Sequence, residues 1–270
     1  MPARRGWQTM MREQGAQIMS LRIIMVETTH PGNIGAAARV MANMGLSELR
    51  LVSPRIFPDP AATARAAGAD EILERVQIFP SLEGAVADCG CVIGATARRR
   101  SLAWPLLDSE QAASRLVTES ERTTCALVFG PEACGLSNAQ LDLCHAHLRI
   151  DVNEAFPSLN VATAIAIMAY ELRKQSASAV PTTPPQSADA MAPMTMGEFD
   201  QLIKHLERVL NRTAFLAGPR IRLVRKLRRL LLQGVQSSQE VNILRGVLTS
   251  LEYALQDSPE DEQVNKKTPT

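Results

Sequence analysis

The chain has 270 residues, enough to bury a sizeable core and to form one large domain or two unequal ones. With 29 Lys and Arg against 28 Asp and Glu, its formal net charge of +1 excludes a uniformly basic nucleic-acid binder and an acidic tail protein, so any basic surface must be local. The five cysteines (Cys89, Cys91, Cys125, Cys134, Cys144) are an odd set within apolar segments, which suits reduced thiols in a cytoplasmic protein better than a disulfide frame.

Residues 1–20 carry Arg4, Arg5, Arg12 and Glu13 with no apolar core of their own, and read as a disordered lead-in rather than a signal peptide. From Leu21 to Gln175 short apolar runs alternate with helical stretches. IIMVE comes first, then the helix IGAAARVMANMG, then LRLVS, CVIGA, CALVF, LRIDV and a helix starting near Leu159. Strands alternating with helices predict an α/β domain over 21–175, with a parallel sheet covered by helices. Ile34, Ala37, Met41 and Met44 recur at helical spacing as a core stripe, and Gly45 is the natural terminator. The longest apolar stretch, Leu159 to Tyr170, is well short of the roughly 20 residues that span a bilayer. No membrane segment is expected.

Residues 176–194 are rich in Pro, Ser, Thr and Ala without a periodic apolar face, and read as a linker. Beyond it, 195–256 forms a small all-α unit. Phe199, Leu202, Ile203, Leu206, Val209 and Leu210 mark one amphipathic helix. Ile221 to Leu231 mark a second, entered at Pro219. Val241, Leu244, Val247, Leu248 and Leu251 mark a third, with Ser237 and Glu240 at capping-box spacing. Residues 257–270 form a polar, flexible tail.

The segment His30-Pro31-Gly32-Asn33-Ile34-Gly35 follows a strand and opens a helix, where α/β proteins present ligand-binding groups. It lacks the glycine fingerprint of dinucleotide sites and the Gly-Lys-Ser/Thr ending of a P-loop. Arg39 follows on the same helix, with a planar fork suited to phosphate, although an isolated arginine is more often merely solvated. Three further loops follow strands: Ala95 to Arg100, Gly130 to Ser137, and Asn153 to Asn160. Each could be an ordinary βα turn. Together their small residues and exposed amides suit a ligand recognised by main chain, such as adenine and its ribose.

These segments carry a family resemblance. VETTHPGNIGAAARVMANMGL, FGPEACGLSN and SLNVATAIAIMAYELR resemble the three motifs of the SPOUT superfamily in order and spacing, and ATARRRSLAWPLLD is similar to the Arg-rich loop of its TrmJ-type tRNA methyltransferases. HLERVLN, RKLRRL and QEVNILRGVL resemble the appended helices of the same group. The resemblance implies a SPOUT fold, a parallel α/β sheet ending in a deep C-terminal trefoil knot, with an S-adenosyl-L-methionine pocket formed by the knot and an active site completed by a homodimer. It implies a cofactor shell of Thr96, Ala97, Gly130, Glu132, Ile150, Ser158, Leu159 and Asn160. Arg39 would be the catalytic arginine, with Asn33 and Ser158 beside it. The implied reaction is ribose 2′-O-methylation of the pyrimidine at nucleotide 32 of the tRNA anticodon loop, without a metal.

Two positions depart from the pattern. Pro131 stands where many relatives carry arginine, removing a cation and a backbone N–H, and Pro157 stands where they often carry a small hydroxyl residue. Arg98, Arg99 and Arg100 are candidates for the missing charge. Arg220, Arg222, Arg225, Lys226, Arg228 and Arg229 cluster in one helical stretch and form the local basic surface expected to meet RNA. An arginine with pKa above about 12 remains protonated, so Arg39 is expected to bind phosphate and stabilise an oxyanion, with a phosphate oxygen or water taking the proton. The competing readings are methylation at another tRNA position or of rRNA, a knotted RNA-binding protein without catalysis, and a metal protein using Cys134, Cys144, His145 and His147. The last lacks paired Cys-x-x-Cys spacing. A serine hydrolase has less support still, because no Gly-x-Ser-x-Gly elbow is present.

Overall fold

The computed structural model describes residues 20–97, 105–178, 192–213, 215 and 220–256. The expected lead-in, Arg98 to Arg100, most of the linker, Pro219 and the expected tail lie outside these residues. The described residues fall into two compact units: one comprises the residues up to 178 with Thr195–Gly197, and the other comprises 192–194 with the residues from Glu198 onward.

The apolar runs of the first unit form β1 (Leu21–Val26), β2 (Glu48–Val52), β4 (Cys91–Ala95) and β6 (Cys125–Phe129). Two short strands that the pattern did not announce, β3 (Gln77–Phe79) and β5 (Leu106–Leu107), end the sheet on either side. The last strand, β7, is Ala146–Leu148 and not the expected LRIDV. Its middle residue is a buried histidine, His147, whose N–H donates to Pro105 O at 2.8 Å while Nε2 lies 3.3 Å from Leu141 O. A polar residue in the middle hides this strand from an apolar search. The sheet order is β3-β2-β1-β6-β4-β7-β5, with every neighbouring pair parallel. All five residues of β6 are buried, as expected of a central parallel strand covered on both faces.

Seven helices described in this unit are α1 (Pro31–Met44), α2 (Pro60–Ala66), α3 (Asp70–Glu74), α4 (Leu82–Val86), α5 (Ser109–Ser120), α6 (Asn138–Leu141) and α7 (Val161–Ser178). α1 has proline in its first turn and ends at Gly45 in the left-handed conformation (φ 83°), as the sequence predicts. Its Ile34, Ala37 and Met41 are fully buried, and Met44 packs against the same core. Gly35 brings α1 against α2, where any Cβ would strike the Ala62 carbonyl. α7 packs on α1 and α5, and runs to Ser178, past the expected start of the linker.

Below this core, Arg50 is buried beside the Phe79 ring, 5.0 Å from its centroid, and its two terminal nitrogens reach Asp88 at 2.9 and 3.1 Å. Arg22 Nη1 also meets Asp88, at 2.8 Å. Burial pushes the Asp88 carboxyl upward, but hydrogen bonding from Arg50 and the charges of both arginines more than offset it and hold the group below its ordinary range. A folded-state pKa below the unfolded value means the stabilisation is complete at neutral pH and disappears as pH falls through the folded value. Asp88→Ala should lower stability by about 1 kcal/mol at neutral pH, since Arg50 loses its carboxylate partner but keeps the Ala85 carbonyl, and solvent screens the half-exposed carboxylate. Urea unfolding should show the gap to wild type closing below about pH 4; a pH-independent gap would contradict the assignment.

In the second unit, α8 (Met196–Asn211) contributes buried Phe199, Leu202, Ile203 and Val209. α9 (Arg220–Gly234) contributes Leu232, and α10 (Ser238–Gln256) contributes Val241 and Leu248. The predicted capping box is present: Ser237 N–H donates to Glu240 Oε2 at 3.0 Å, and Glu240 N–H donates back to Ser237 Oγ at 3.3 Å. Pro193 and Ser237 form an antiparallel bridge, so the last expected linker residues are paired with this unit. The apolar face anticipated for α10 divides, because Val247 and Leu251 join Ile243 on an exposed stripe at four-residue spacing. Among the described residues no helix is long and apolar enough to cross a membrane.

Candidate functional site

In a parallel sheet all strands end on the same edge, and the ends of β4, β6 and β7 are adjacent there. The loops leaving Ala95, Phe129 and Leu148 border an open cleft of about 350 Å³. Thr96, Ala97, Gly130, Glu132, Ile150, Ser158 and Leu159, seven of the residues singled out from sequence, line it. Thr96 is fixed by its N–H, which donates to Leu148 O at 2.9 Å. Gly130 faces the backbone of Gly135 and Leu136, and no side chain fits between them. Pro131 lines the cleft, and its carbonyl accepts the Gly135 N–H at 2.8 Å. The loop therefore closes through the carbonyl of a residue that has no N–H to offer. It leads into α6, capped reciprocally by Ser137 and Gln140.

Asn160 and Asn33 are joined to Glu132 through a directed chain of hydrogen bonds. Asn160 Oδ1 caps α7, accepting the N–H groups of Ala162 and Thr163 at 3.0 and 3.4 Å. Its Nδ2 donates to Asn33 Oδ1 at 3.1 Å, and Asn33 Nδ2 donates to Glu132 Oε1 at 2.7 Å. The other carboxylate oxygen, Oε2, accepts from the Thr29 N–H at 3.1 Å and from the Thr29 hydroxyl at 2.9 Å. Burial raises the Glu132 pKa, but the bonds from Asn33 and Thr29 outweigh it and hold the carboxyl below its ordinary range. Thr29 was not anticipated as a site residue. The signal available was its place immediately beyond β1, at the same sheet edge as the other loops.

Arg39 is exposed on α1, outside the cleft lining, and carries no ion pair or hydrogen bond among the described residues. Arg98, Arg99 and Arg100 lie outside the described residues. On α9 the basic cluster is divided. Lys226 is exposed and Arg225 and Arg229 are half-buried, whereas Arg228 is buried, with Nη1 3.1 Å from Asp200 Oδ1 and its guanidinium 5.3 Å from the Phe199 ring centroid. The interior placement of Arg228 removes it from the accessible basic face. The side chains of Arg220 and Arg222 lie outside the described residues. Of the residues considered for metal, Cys134 lines the cleft, Cys144 and His147 are buried, and His145 Nδ1 accepts the Val92 N–H at 3.0 Å. Among the described residues no group of three or more His, Cys, Asp or Glu side chains is placed to hold a metal ion.

The SpoU rRNA Methylase family matches residues 20–170, and the family described as tRNA methyltransferase TrmJ, C-terminal domain, matches residues 197–263. The chain is 40% identical over 236 residues to the tRNA (cytidine/uridine-2'-O-)-methyltransferase TrmJ of Yersinia pestis (strain Pestoides F), covering 86% of this chain and 91% of that protein. It is 38% identical over 244 residues to the protein of the same name from Cronobacter sakazakii, covering 90% of this chain and all of that one. The crystal structure of TrmJ from Z. mobilis ZM4 is similar with a TM-score of 0.75 at 36% identity, over 86% of this chain and 98% of that one. A parallel sheet with its cleft at the strand ends, a family match over more than half of the chain, and relatives that it matches nearly end to end place this protein in the SpoU methylase family, as a methyltransferase of the TrmJ type.

Proposed function

We propose that this chain methylates the ribose 2′-oxygen of a pyrimidine in tRNA, at nucleotide 32 of the anticodon loop, using S-adenosylmethionine. The observation that carries the reading is the cleft at the ends of β4, β6 and β7, with its small and main-chain-rich lining. Its volume lies within the range of small-molecule sites. Phe129, Leu148, Ile150 and Leu159 offer an apolar surface to an adenine, while Thr96 and Ser158 offer polar groups at its margin. Bound there, S-adenosylmethionine supplies an electrophilic methyl group on a sulfonium. β7 lies between β4 and β5 although it follows both in sequence, a strand order that supports a knotted C-terminal part.

In this reading Ser158 and Asn33 orient the acceptor ribose, and Arg39 grips an adjacent phosphate and stabilises the oxygen as its proton leaves to a phosphate oxygen or water. Arg39 is exposed and outside the lining of its own cleft, which favours a homodimer in which it serves the partner's cleft. The protein works in the cytoplasm, with residues 21–175 as the catalytic domain and 195–256 as an RNA-binding helical domain. Mapping ribose methylation on tRNA from cells with and without the gene is the test. Loss of a single pyrimidine mark at nucleotide 32 is expected, and an unchanged tRNA methylation map would overturn the reading.

The accessible basic face of α9 is assigned to the RNA backbone. Lys226→Glu with Arg229→Glu should weaken tRNA binding and reduce the salt slope of binding by about 2, one for each lost phosphate contact. Cofactor affinity by calorimetry should be unaffected. A double variant that binds tRNA with wild-type salt dependence would move the RNA surface elsewhere.

A further inference from the structure

We propose that Thr29 is a positioning residue for methyl transfer, setting through Glu132 the direction in which the amides of Asn33 and Asn160 point. This rests on the methyltransferase reading of the cleft. The direction follows from the chemistry of the two ends. At one end the α7 N–H groups of Ala162 and Thr163 can only donate, so Asn160 presents Oδ1 to them and Nδ2 to Asn33. At the other end an ionised Glu132 can only accept, so Asn33 presents Nδ2 to it and Oδ1 to Asn160. Both ends demand the same polarity, and the chain satisfies both.

That agreement depends on Glu132 remaining an acceptor at both oxygens. Its Oε1 is engaged by Asn33, and its Oε2 takes both donors of Thr29. Thr29 stands just beyond β1, and Glu132 is in the cleft loop beyond the neighbouring β6, so the contact joins two loops separated by 103 residues in sequence. Without the hydroxyl, Oε2 keeps one donor and the carboxylate can turn away from Asn33. Asn33 can then rotate its amide, and the groups assigned to the ribose lose their fixed orientation. Thr29 itself is not part of the cleft lining, although its partner Glu132 is.

The experiment compares Thr29→Val, which keeps the branched shape and loses the hydroxyl, with Thr29→Ser, which keeps the hydroxyl. Full-length protein is used, with single-turnover rates at saturating S-adenosylmethionine and tRNA, calorimetric cofactor affinity and thermal melting. Thr29→Val should slow the transfer step about tenfold or more, as expected from loss of a hydrogen bond to a charged group. Its melting temperature should stay near that of wild type, its cofactor affinity should fall by less than its rate because Glu132 also lines the cleft, and Thr29→Ser should restore most of the rate. A Thr29→Val enzyme with the wild-type rate overturns the proposal while leaving the methyltransferase reading intact. A loss that serine fails to restore, or that tracks a lowered melting temperature, also overturns it by assigning Thr29 a structural role. A wild-type protein that binds S-adenosylmethionine but methylates no tRNA overturns the functional reading and this proposal with it.

Discussion

Arg39→Ala should reduce single-turnover methylation by about 100-fold or more while leaving the melting temperature and cofactor affinity nearly unchanged. The size follows from removing a preorganised donor to developing negative charge, which typically costs two to three orders of magnitude. The selectivity follows from the structure. Arg39 is exposed on α1 and has no ion pair or hydrogen bond among the described residues, so its removal leaves nothing stranded. Arg39→Lys should recover only part of the rate, because an ammonium cannot reproduce the planar two-pronged grip on phosphate and oxyanion. Near-normal methylation by Arg39→Ala at saturating tRNA would refute the assignment and direct attention to Arg98, Arg99 and Arg100.

Gly130→Ala should have the opposite signature, weakening cofactor binding and the fold together. A Cβ at Gly130 would strike the backbone of Gly135 and Leu136, and backbone cannot rotate away as a flexible side chain can. Leu136 is buried, so moving it disturbs the core beneath the cleft. The expected cost is about 1–3 kcal/mol in stability, as for other overpacked sites, with cofactor affinity lower by about tenfold or more. Chemical unfolding and calorimetry together check this. Wild-type stability would mean that the loop from Pro131 to Gly135 can shift outward freely.

β4 and β6 are continuous apolar runs, as parallel strands covered on both faces tend to be, β1 and β2 are apolar apart from Arg22, Glu48 and Arg50, and α1 carries both its stripe and its glycine terminator. β7 escaped because His147 interrupts its apolar pattern, and β5 because two residues make no pattern. In the second unit, Val247 and Leu251 follow helical spacing yet face outward, since periodicity identifies a stripe without saying which neighbour covers it. Arg228 shows the same limit for charge: five other basic residues surround it in sequence, but Asp200 and Phe199 draw it inside. At the cleft the motif segments identified the loops. Nothing in residue order revealed that Thr29 would grip Glu132 with two donors.

The bond between Asn33 and Asn160 joins residues 127 positions apart. A chain emerging from the ribosome delivers the Asn33 turn early, and it can make β1, α1 and β2 from local segments long before Asn160 exists. β6, the strand that joins β1 to β4, also comes late in this unit. Contacts between such distant segments bring a large loop-closure penalty and form slowly. The amide chain, the α7 cap and the complete cleft must therefore appear at the end of folding, after nearly all of the first unit has been synthesised. Nascent chains that stop before α7 have no cofactor site to protect them, and quality control that responds to loose structure will see them as unfinished.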